Sequence, residues 1–276
     1  MKYELIDSGD LKKLEQVGPY KIIRPAAGAV WAIKNAQLWN DVDAEFVRFS
    51  GGDGKWKFYR QLPSEWAIES SFGQVKIQTT NFGHLGIFAE QQNNWMKIEK
   101  FVRERNAQNV LNLFAYTGGC TLAAANGGAQ VVHLDASKTS VQWAKENAKL
   151  SGLSDHPIRW IVDDVKKFVA REVKRENKYN GVILDPPTYG KGGSGQTWKI
   201  ETDLVNLLEG IKQILDMNNY FIILSSHSQG YTPIALENLL RDLNLPGANY
   251  SSNELFIKDR FGRRLPSGFE SWCFNE

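Results

Sequence analysis

Asn112-Leu113-Phe114-Ala115-Tyr116-Thr117-Gly118-Gly119 continues an apolar run that opens at Asn109, and the chain then reads as a helix near 119–126. An apolar strand that ends in paired glycines and enters a helix is the first crossover of an open α/β sheet. Outward from it the alternation repeats. Residues 130–135, 158–162, 181–185 and 220–224 read as strands, with helices near 137–151, 164–177 and 199–216 between them. Upstream, Gln91 to Gln108 reads as a helix with Trp95, Ile98, Phe101 and Val102 on one face. Downstream, Glu254–Ile257 and Ser271–Phe274 read as strands joined by the turn-rich stretch Gly262–Gly268. The pattern predicts a mostly parallel, doubly wound α/β sheet that finishes with an antiparallel strand.

Residues 1–80 have a different rhythm. Tyr20–Ile23, Ala44–Phe49 and Gln74–Gln78 are short apolar runs separated by Gly18-Pro19, Gly51-Gly52-Asp53-Gly54 and Pro63-Ser64. We expect a small β-rich domain over 1–80, serving substrate binding or as a lid, and a larger α/β domain over 81–276. Four of the nine tryptophans, Trp31, Trp39, Trp56 and Trp66, fall in the first part. They are expected to staple a thin core, with a base-stacking surface as the alternative.

Of the 276 residues, 42% are apolar, enough for a sizeable core, and the formal net charge is only +2. The total charge therefore does not announce a nucleic-acid binder, although a local basic face would not show in it. Cys120 and Cys273 have neither metal-like nor disulfide-like spacing. With no apolar leader and no run long enough for a membrane span, a soluble cytoplasmic protein is expected. The sequence does not reveal the oligomeric state.

Ligands of open α/β sheets sit beyond the carboxyl ends of the strands, and four such ends carry suitable groups. Gly118 and Gly119 let the backbone approach a ligand, and the helix that follows offers free N–H donors. Asp135 ends the next strand, where a carboxylate can accept from both hydroxyls of a ribose; a helix cap is the alternative. Asp163-Asp164 can accept from the exocyclic amine of an adenine, or Asp164 can simply cap a helix. Asp185-Pro186-Pro187-Thr188-Tyr189-Gly190 is the most specific signal. Its prolines stiffen the loop and remove donors, leaving carbonyls and a carboxylate to face a planar acceptor on which Tyr189 can stack. A nicotinamide site is disfavoured, because Phe114 and Tyr116 stand where a Gly-x-Gly-x-x-Gly loop has glycines.

These four motifs resemble class I S-adenosylmethionine-dependent methyltransferases, which have a Rossmann-like fold. Asn-Leu-Phe-Ala-Tyr-Thr-Gly-Gly paired with Asp-Pro-Pro-Thr-Tyr resembles, more narrowly, the ribosomal large-subunit RNA methyltransferases. That group includes cytosine-5 enzymes and the guanine-N7 half of a fused enzyme. Gly86-Ile87-Phe88-Ala89-Glu90-Gln91 is similar to the lead-in that borders the cofactor in this family. The resemblance implies S-adenosylmethionine as cofactor and RNA, ribosomal RNA first, as substrate. It implies that Gln91 and Asn112 border the cofactor and that the backbone of Phe114, Ala115, Tyr116, Thr117 and Gly118 holds its methionine part. Asp135 would take the ribose, Asp164 the adenine, and Asp185 and Pro186 would border the reacting centre with Tyr189.

Two departures shape the expectation. Many relatives carry an N-terminal RNA-binding module of the PUA type, for which this chain starts too late. Cytosine-5 enzymes need a cysteine thiolate that adds to the base. In the family it follows the strand after Asp-Pro-Pro, where this chain has Leu224-Ser225-Ser226-His227-Ser228. A nitrogen acceptor is therefore favoured, with His227 either orienting it and taking a proton or serving as a structural histidine. His84 is expected to be structural. Arg260, Arg263, Arg264 and Lys191 are candidates for phosphate contacts, and Gly190–Gly195 for a lid. The basic residues of 166–178 are expected on a solvated helix face. A small-molecule or protein side-chain methyltransferase is the alternative, and a non-enzymatic nucleotide-binding module the third.

Overall fold

The structure, a computed structural model, describes residues 2–49, 54–192, 195 and 197–275. The turn residues Gly51, Gly52 and Asp53 and the central Gly193 and Ser194 of the expected lid lie outside the described residues. The chain divides into two compact units, Met1–Gln92 with Phe256–Ser267, and Asn93–Leu255 with Gly268–Glu276. These units do not divide at residue 80, the boundary expected from the change of rhythm. The reason lies in the first unit's interior. Leu265 packs with Leu5 and Ala29, Ser8 Oγ donates to Asp259 Oδ2 at 3.2 Å, and Arg263 bonds both Asp7 and Asp259. A late segment that completes an early core leaves no periodic trace in the sequence.

The first unit holds a five-stranded sheet in the order β1 (Tyr3–Gly9), β2 (Lys12–Val17), β3 (Tyr20–Pro25), β4 (Ala44–Arg48), β5 (Gly54–Phe58). All its pairings are antiparallel except β3 with β4. A separate hairpin joins β6 (Glu65–Ser70) and β7 (Gly73–Gln78). The four tryptophans act as staples. Their indole N–H groups donate to Ser8 O (Trp31), the Asp7 carboxylate (Trp39), Thr80 O (Trp56) and Val17 O (Trp66) at 2.7–3.1 Å. An aromatic body with one polar handle thus ties each turn to the sheet.

The second unit begins with α1 (Gln92–Arg105), whose Trp95, Ile98 and Val102 are buried as their spacing predicts. Then follow β8 (Asn109–Leu113), α2 (Gly119–Asn126), β9 (Gln130–Asp135), α3 (Lys138–Leu150), β10 (Ile158–Val162), α4 (Val165–Lys174) and β11 (Gly181–Leu184). After a short hairpin of β12 (Tyr189–Lys191) and β13 (Thr197–Lys199) come α5 (Ile200–Ile214), β14 (Phe221–Ser226) and α6 (Pro233–Arg241). The chain ends in β15 (Asn249–Lys258) and β16 (Arg264–Phe274). The large sheet has the order β10-β9-β8-β11-β14-β16-β15. Its first five strands run parallel, and β16 runs antiparallel to β14.

β11 and β14 are buried at every position, as central strands covered on both faces must be. Ile200, Leu204, Leu207, Leu208, Ile211 and Ile214 of α5 form the apolar stripe that covers one face. Three elements were not expected: α6, capped by Thr232 with Pro233 in its first turn, and the β12–β13 pair. Gly190 and Lys191 of the expected lid belong to this pair, beside which Trp198 Nε1 donates to Pro187 O at 2.7 Å. Glu172 departs from the solvated face expected of α4. It is fully buried and accepts from the Tyr179 hydroxyl and the Asn177 amide, both at 2.7 Å. Among the described residues no helix is long and apolar enough to cross a membrane.

Candidate active site

Register places the motifs on one edge. Leu113 pairs with Leu134 on one side and Leu184 on the other, Asp135 pairs with Val162, and Leu184 with Leu224. The residues that follow are therefore lined up in the order Asp163, Asp135, Phe114, Asp185, Ser225 along the carboxyl ends of the parallel strands. Strands lie about 4.8 Å apart, so Asp163 to Asp185 spans roughly 14 Å. The strand order reverses between β8 and β11, the topological switch point at which α/β sheets open a crevice.

The loop after β8 has unusual backbone geometry. Phe114 and Tyr116 have φ of 54° and 48°, and Gly118, which precedes α2, has 91°. Left-handed backbone at a non-glycine residue costs on the order of 1 kcal/mol or more. Here it is held by its bonds: Ala115 N–H donates to Leu134 O at 3.1 Å, and Tyr116 N–H to Asp135 Oδ2 at 2.9 Å. The Phe114 ring packs edge-on against Trp198, centroids 4.8 Å apart. Asn147 of α3 donates to Thr117 O at 2.9 Å.

The glycines already have reasons within the protein. A Cβ at Gly118 would meet Ala144 Cβ at 3.0 Å, and one at Gly119 would meet the Trp95 indole at 2.8 Å. Asn112, expected at the cofactor, is buried beneath the loop. Its amide donates to Thr121 Oγ1 at 2.8 Å, which lies 2.9 Å from His133 Nδ1. Burial pushes the His133 ring down to about 3, with Lys145 adding in the same direction, so His133 is neutral.

Asp135 is not the cap of α3, since Ser137 takes that role. Its two oxygens accept instead from Tyr116 N–H and Ser137 N–H, at 2.9 and 2.8 Å. Burial raises its pKa, and these two bonds pull the other way without cancelling the rise. Asp164 takes the plainer of its two expected roles: it caps α4, accepting from Lys167 N–H at 3.0 Å. Asp163 beside it is paired with Arg171.

After β11, Asp185 is half-exposed and Pro186 buried. Asp185 Oδ1 lies 3.5 Å from Nδ1 of His227, the first residue after β14. Thr188 Oγ1 and Ser228 Oγ are 2.6 Å apart and fasten these two loops together. Gly268 of β16 passes against the imidazole, where a Cβ would lie 2.9 Å from His227 Cδ2. Tyr189 stands exposed on β12. Burial pushes the Cys120 thiol up to about 12 and that of Cys273 up to about 11, so neither is a thiolate at neutral pH.

The structure thus brings Phe114–Gly118, Asp135, Asp164, Asp185, Pro186 and His227 to neighbouring strand ends. Gln91 belongs to the first unit, where it is buried. In that unit His84 donates its N–H to Thr80 Oγ1, and its ring meets Phe88 edge-on. Arg260 and Arg263, expected to contact phosphate, are instead committed to carboxylates. Arg260 grips Glu4 with two bonds of 2.6 and 2.7 Å, and Arg263 bonds Asp7 and Asp259. Arg264 lies over the Phe256 ring. Sequence reasoning missed Asn147, Thr121, His133 and Gly268. A buried polar side chain on an apolar element was the available signal for the first three.

Comparison with known proteins agrees with this fold. Residues 66–216 match the family model described as S-adenosylmethionine-dependent methyltransferase. A crystal structure of a SAM-dependent methyltransferase from Agrobacterium tumefaciens is 34% identical, with TM-score 0.94, covering 100% of this chain and 91% of that one. The ribosomal RNA large subunit methyltransferase K/L of Shewanella frigidimarina is 33% identical over 159 residues, 56% of this chain and 22% of that protein. The ribosomal RNA large subunit methyltransferase I of Aeromonas salmonicida is 32% identical over 125 residues, 45% of this chain and 31% of that protein. The chain spans less than a third of the length of either ribosomal RNA relative. A match over more than half its length, joined to the strand-end geometry, places this chain in the S-adenosylmethionine-dependent methyltransferase family.

Proposed function

We propose that the chain transfers the methyl group of S-adenosylmethionine to a base nitrogen of RNA, ribosomal RNA first among candidates, in the cytoplasm. The observation that carries this reading is the Asp185–His227 pair at the ends of β11 and β14, 3.5 Å apart, with no ionisable thiol beside it. The names of the ribosomal RNA relatives support the substrate class.

The residues present fit the cofactor. Asp135 is a half-buried carboxylate with two backbone partners and, among the described residues, no salt bridge. It retains acceptor capacity on both oxygens, suited to a pair of ribose hydroxyls. The Phe114–Gly118 backbone would hold the methionine part, with Asn112 supporting the loop from below. Asp164, with one oxygen committed to its cap, would accept from the adenine with the other. When bound, the cofactor supplies an electrophilic methyl group on a sulfonium sulfur.

The chain's own contribution is positioning, which can lower such a barrier by roughly 7–11 kcal/mol. Asp185 and the carbonyls of the stiff Pro186-Pro187 turn orient the acceptor base, and Tyr189 stacks on it. A ring nitrogen such as guanine N7 needs no base. An exocyclic amine must lose a proton, which His227 accepts at Nδ1 or Nε2. Cytosine C5 needs a thiolate, and Cys120 and Cys273 are held protonated.

Methyl-labelled cofactor, incubated with the protein and separate RNA, protein and metabolite pools, tests the reading. Label in RNA is expected, followed by a nitrogen-methylated nucleoside on mass analysis. Label confined to protein or metabolites overturns the RNA substrate, and 5-methylcytosine as sole product overturns the nitrogen acceptor.

A further inference from the structure

The first unit's sheet ends at β5, whose outer edge has no neighbouring strand among the described residues. Alternation puts Lys55, Lys57 and Tyr59 on one face of this edge, and all three are exposed. Each lysine lies over a ring: Lys55 Nζ is 5.9 Å from the centroid of Phe49, and Lys57 Nζ is 4.7 Å from that of Tyr59. Phe49 and Tyr59 are nevertheless 48% and 47% exposed, so much of each ring faces water. The Tyr59 hydroxyl donates to Glu45 Oε2 at 2.9 Å, which fixes the ring's orientation. Lys12 Nζ neutralises that carboxylate at 2.8 Å. Lys57 lies opposite the same carboxylate in the strand register and adds to the pull on it, so Lys12 and Lys57 together exceed Glu45 by one charge, and Lys55 adds a second.

Lysines alone on an edge strand would be a guard against pairing with another chain. Exposed rings work against such a guard, since they add apolar surface where aggregation begins. Cations interleaved with accessible rings are the arrangement that tracks a phosphate backbone while bases stack. Beside Tyr59 opens a cleft of about 560 Å³, lined in part by Lys12, Trp39 and Asn40. It offers an indole and an amide to an unstacked base.

We propose that this face of the β4–β5 edge is a binding surface for single-stranded RNA. The proposal rests on RNA being the substrate class and deepens it: the target would be an unpaired loop or strand. The mild net charge of the chain does not oppose this, because a local excess of positive charge over Glu45 and two exposed rings suffice for a local contact.

The experiment is fluorescence anisotropy of a labelled, unstructured uridine oligonucleotide with the full chain over a series of salt concentrations. Lys55→Gln/Lys57→Gln should flatten the slope of log affinity against log salt by about 1.4, some 0.7 for each lost phosphate contact. Phe49→Ala/Tyr59→Ala should weaken binding roughly tenfold with an unchanged slope. Tyr59→Phe, which keeps the ring, should bind as the wild type does. Circular dichroism checks that each variant is folded, and the glutamine pair, at exposed sites, reads the surface if the alanine pair is not. Wild-type affinity and slope in both double variants, or no binding by the wild type, overturn the proposal. Methyl transfer to RNA measured on the same proteins separates the two readings. Labelled RNA with variant-insensitive binding removes only this surface, and variant-sensitive binding without any labelled RNA removes only the RNA-substrate reading.

Discussion

Glu15 in the first unit and Asp135 in the second are both carboxylates withdrawn from water, and they are treated in opposite ways. Glu15 is fully buried, with Arg24 gripping it by bonds of 2.6 and 2.7 Å, Lys13 Nζ at 3.0 Å and the Tyr3 hydroxyl donating at 2.6 Å. Burial pushes its pKa up, but the charges of Arg24 and Lys13 overcome that and hold it at about 2. Asp135 has two backbone N–H donors and, among the described residues, no salt bridge, and its pKa stays raised. A carboxylate that serves only the fold is saturated by its surroundings. Asp135, which we propose takes the ribose, keeps acceptor capacity at an electrostatic cost.

The comparison breaks most readily at the saturated end. Arg24→Met should cost about 3–5 kcal/mol of unfolding free energy, because it removes the two-bond partner of a buried charge and leaves it only Lys13. Urea denaturation measures it, and a loss under 1 kcal/mol would mean that Glu15 is not dependent on its cation. The same cluster sets a pH response. Glu15 is depressed in the folded state, so its contribution is full above its ordinary value of 4.5 and is lost as pH falls through about 2. That loss is about 3 kcal/mol in total, and Glu15→Gln should flatten the acid limb of a stability-against-pH curve.

At the other end, Asp135→Asn should weaken S-adenosylhomocysteine binding about ten- to hundredfold, or roughly 1.4–2.8 kcal/mol. The amide would also turn an N–H toward Tyr116 or Ser137. Isothermal titration reads the loss. Unaltered affinity would place the ribose elsewhere. Gly118→Ala sharpens the picture of the loop: with φ of 91° and a contact of 3.0 Å to Ala144, it should destabilise by about 1–2 kcal/mol. Thermal unfolding checks this. The smallest effect is expected of Cys120→Ala, which should leave methyl transfer within about twofold, since its thiol is protonated at working pH. A complete loss of turnover would point back to covalent catalysis.

Much of the second unit was legible in the residues. The strands after Asn109, Gln130, Ile158 and Gly181 lie where apolar runs and turn residues put them, and the helices between them end within a few residues of expectation. Periodicity reports which face of an element is buried, and that is a local property. It also placed Asp135 and Asp185 at strand ends, because register in a parallel sheet follows from the pattern of apolar residues. The short hairpin at Tyr189–Lys191 and the helix α6 were not legible, since brief elements contribute too few periods to stand out.

What the sequence determined by itself is therefore the alternation of elements, the family and the set of groups at the strand ends. Tertiary structure alone decided how those groups are used. It made Asp164 a cap, gave Asp135 two backbone donors in place of a cap, turned Asn112 inward, spent Arg260 and Arg263 on carboxylates and set His227 against Asp185. The physical reason is that a polar side chain's role depends on which partners reach it first. Those partners come from segments up to 256 residues away along the chain, as Arg263 does for Asp7.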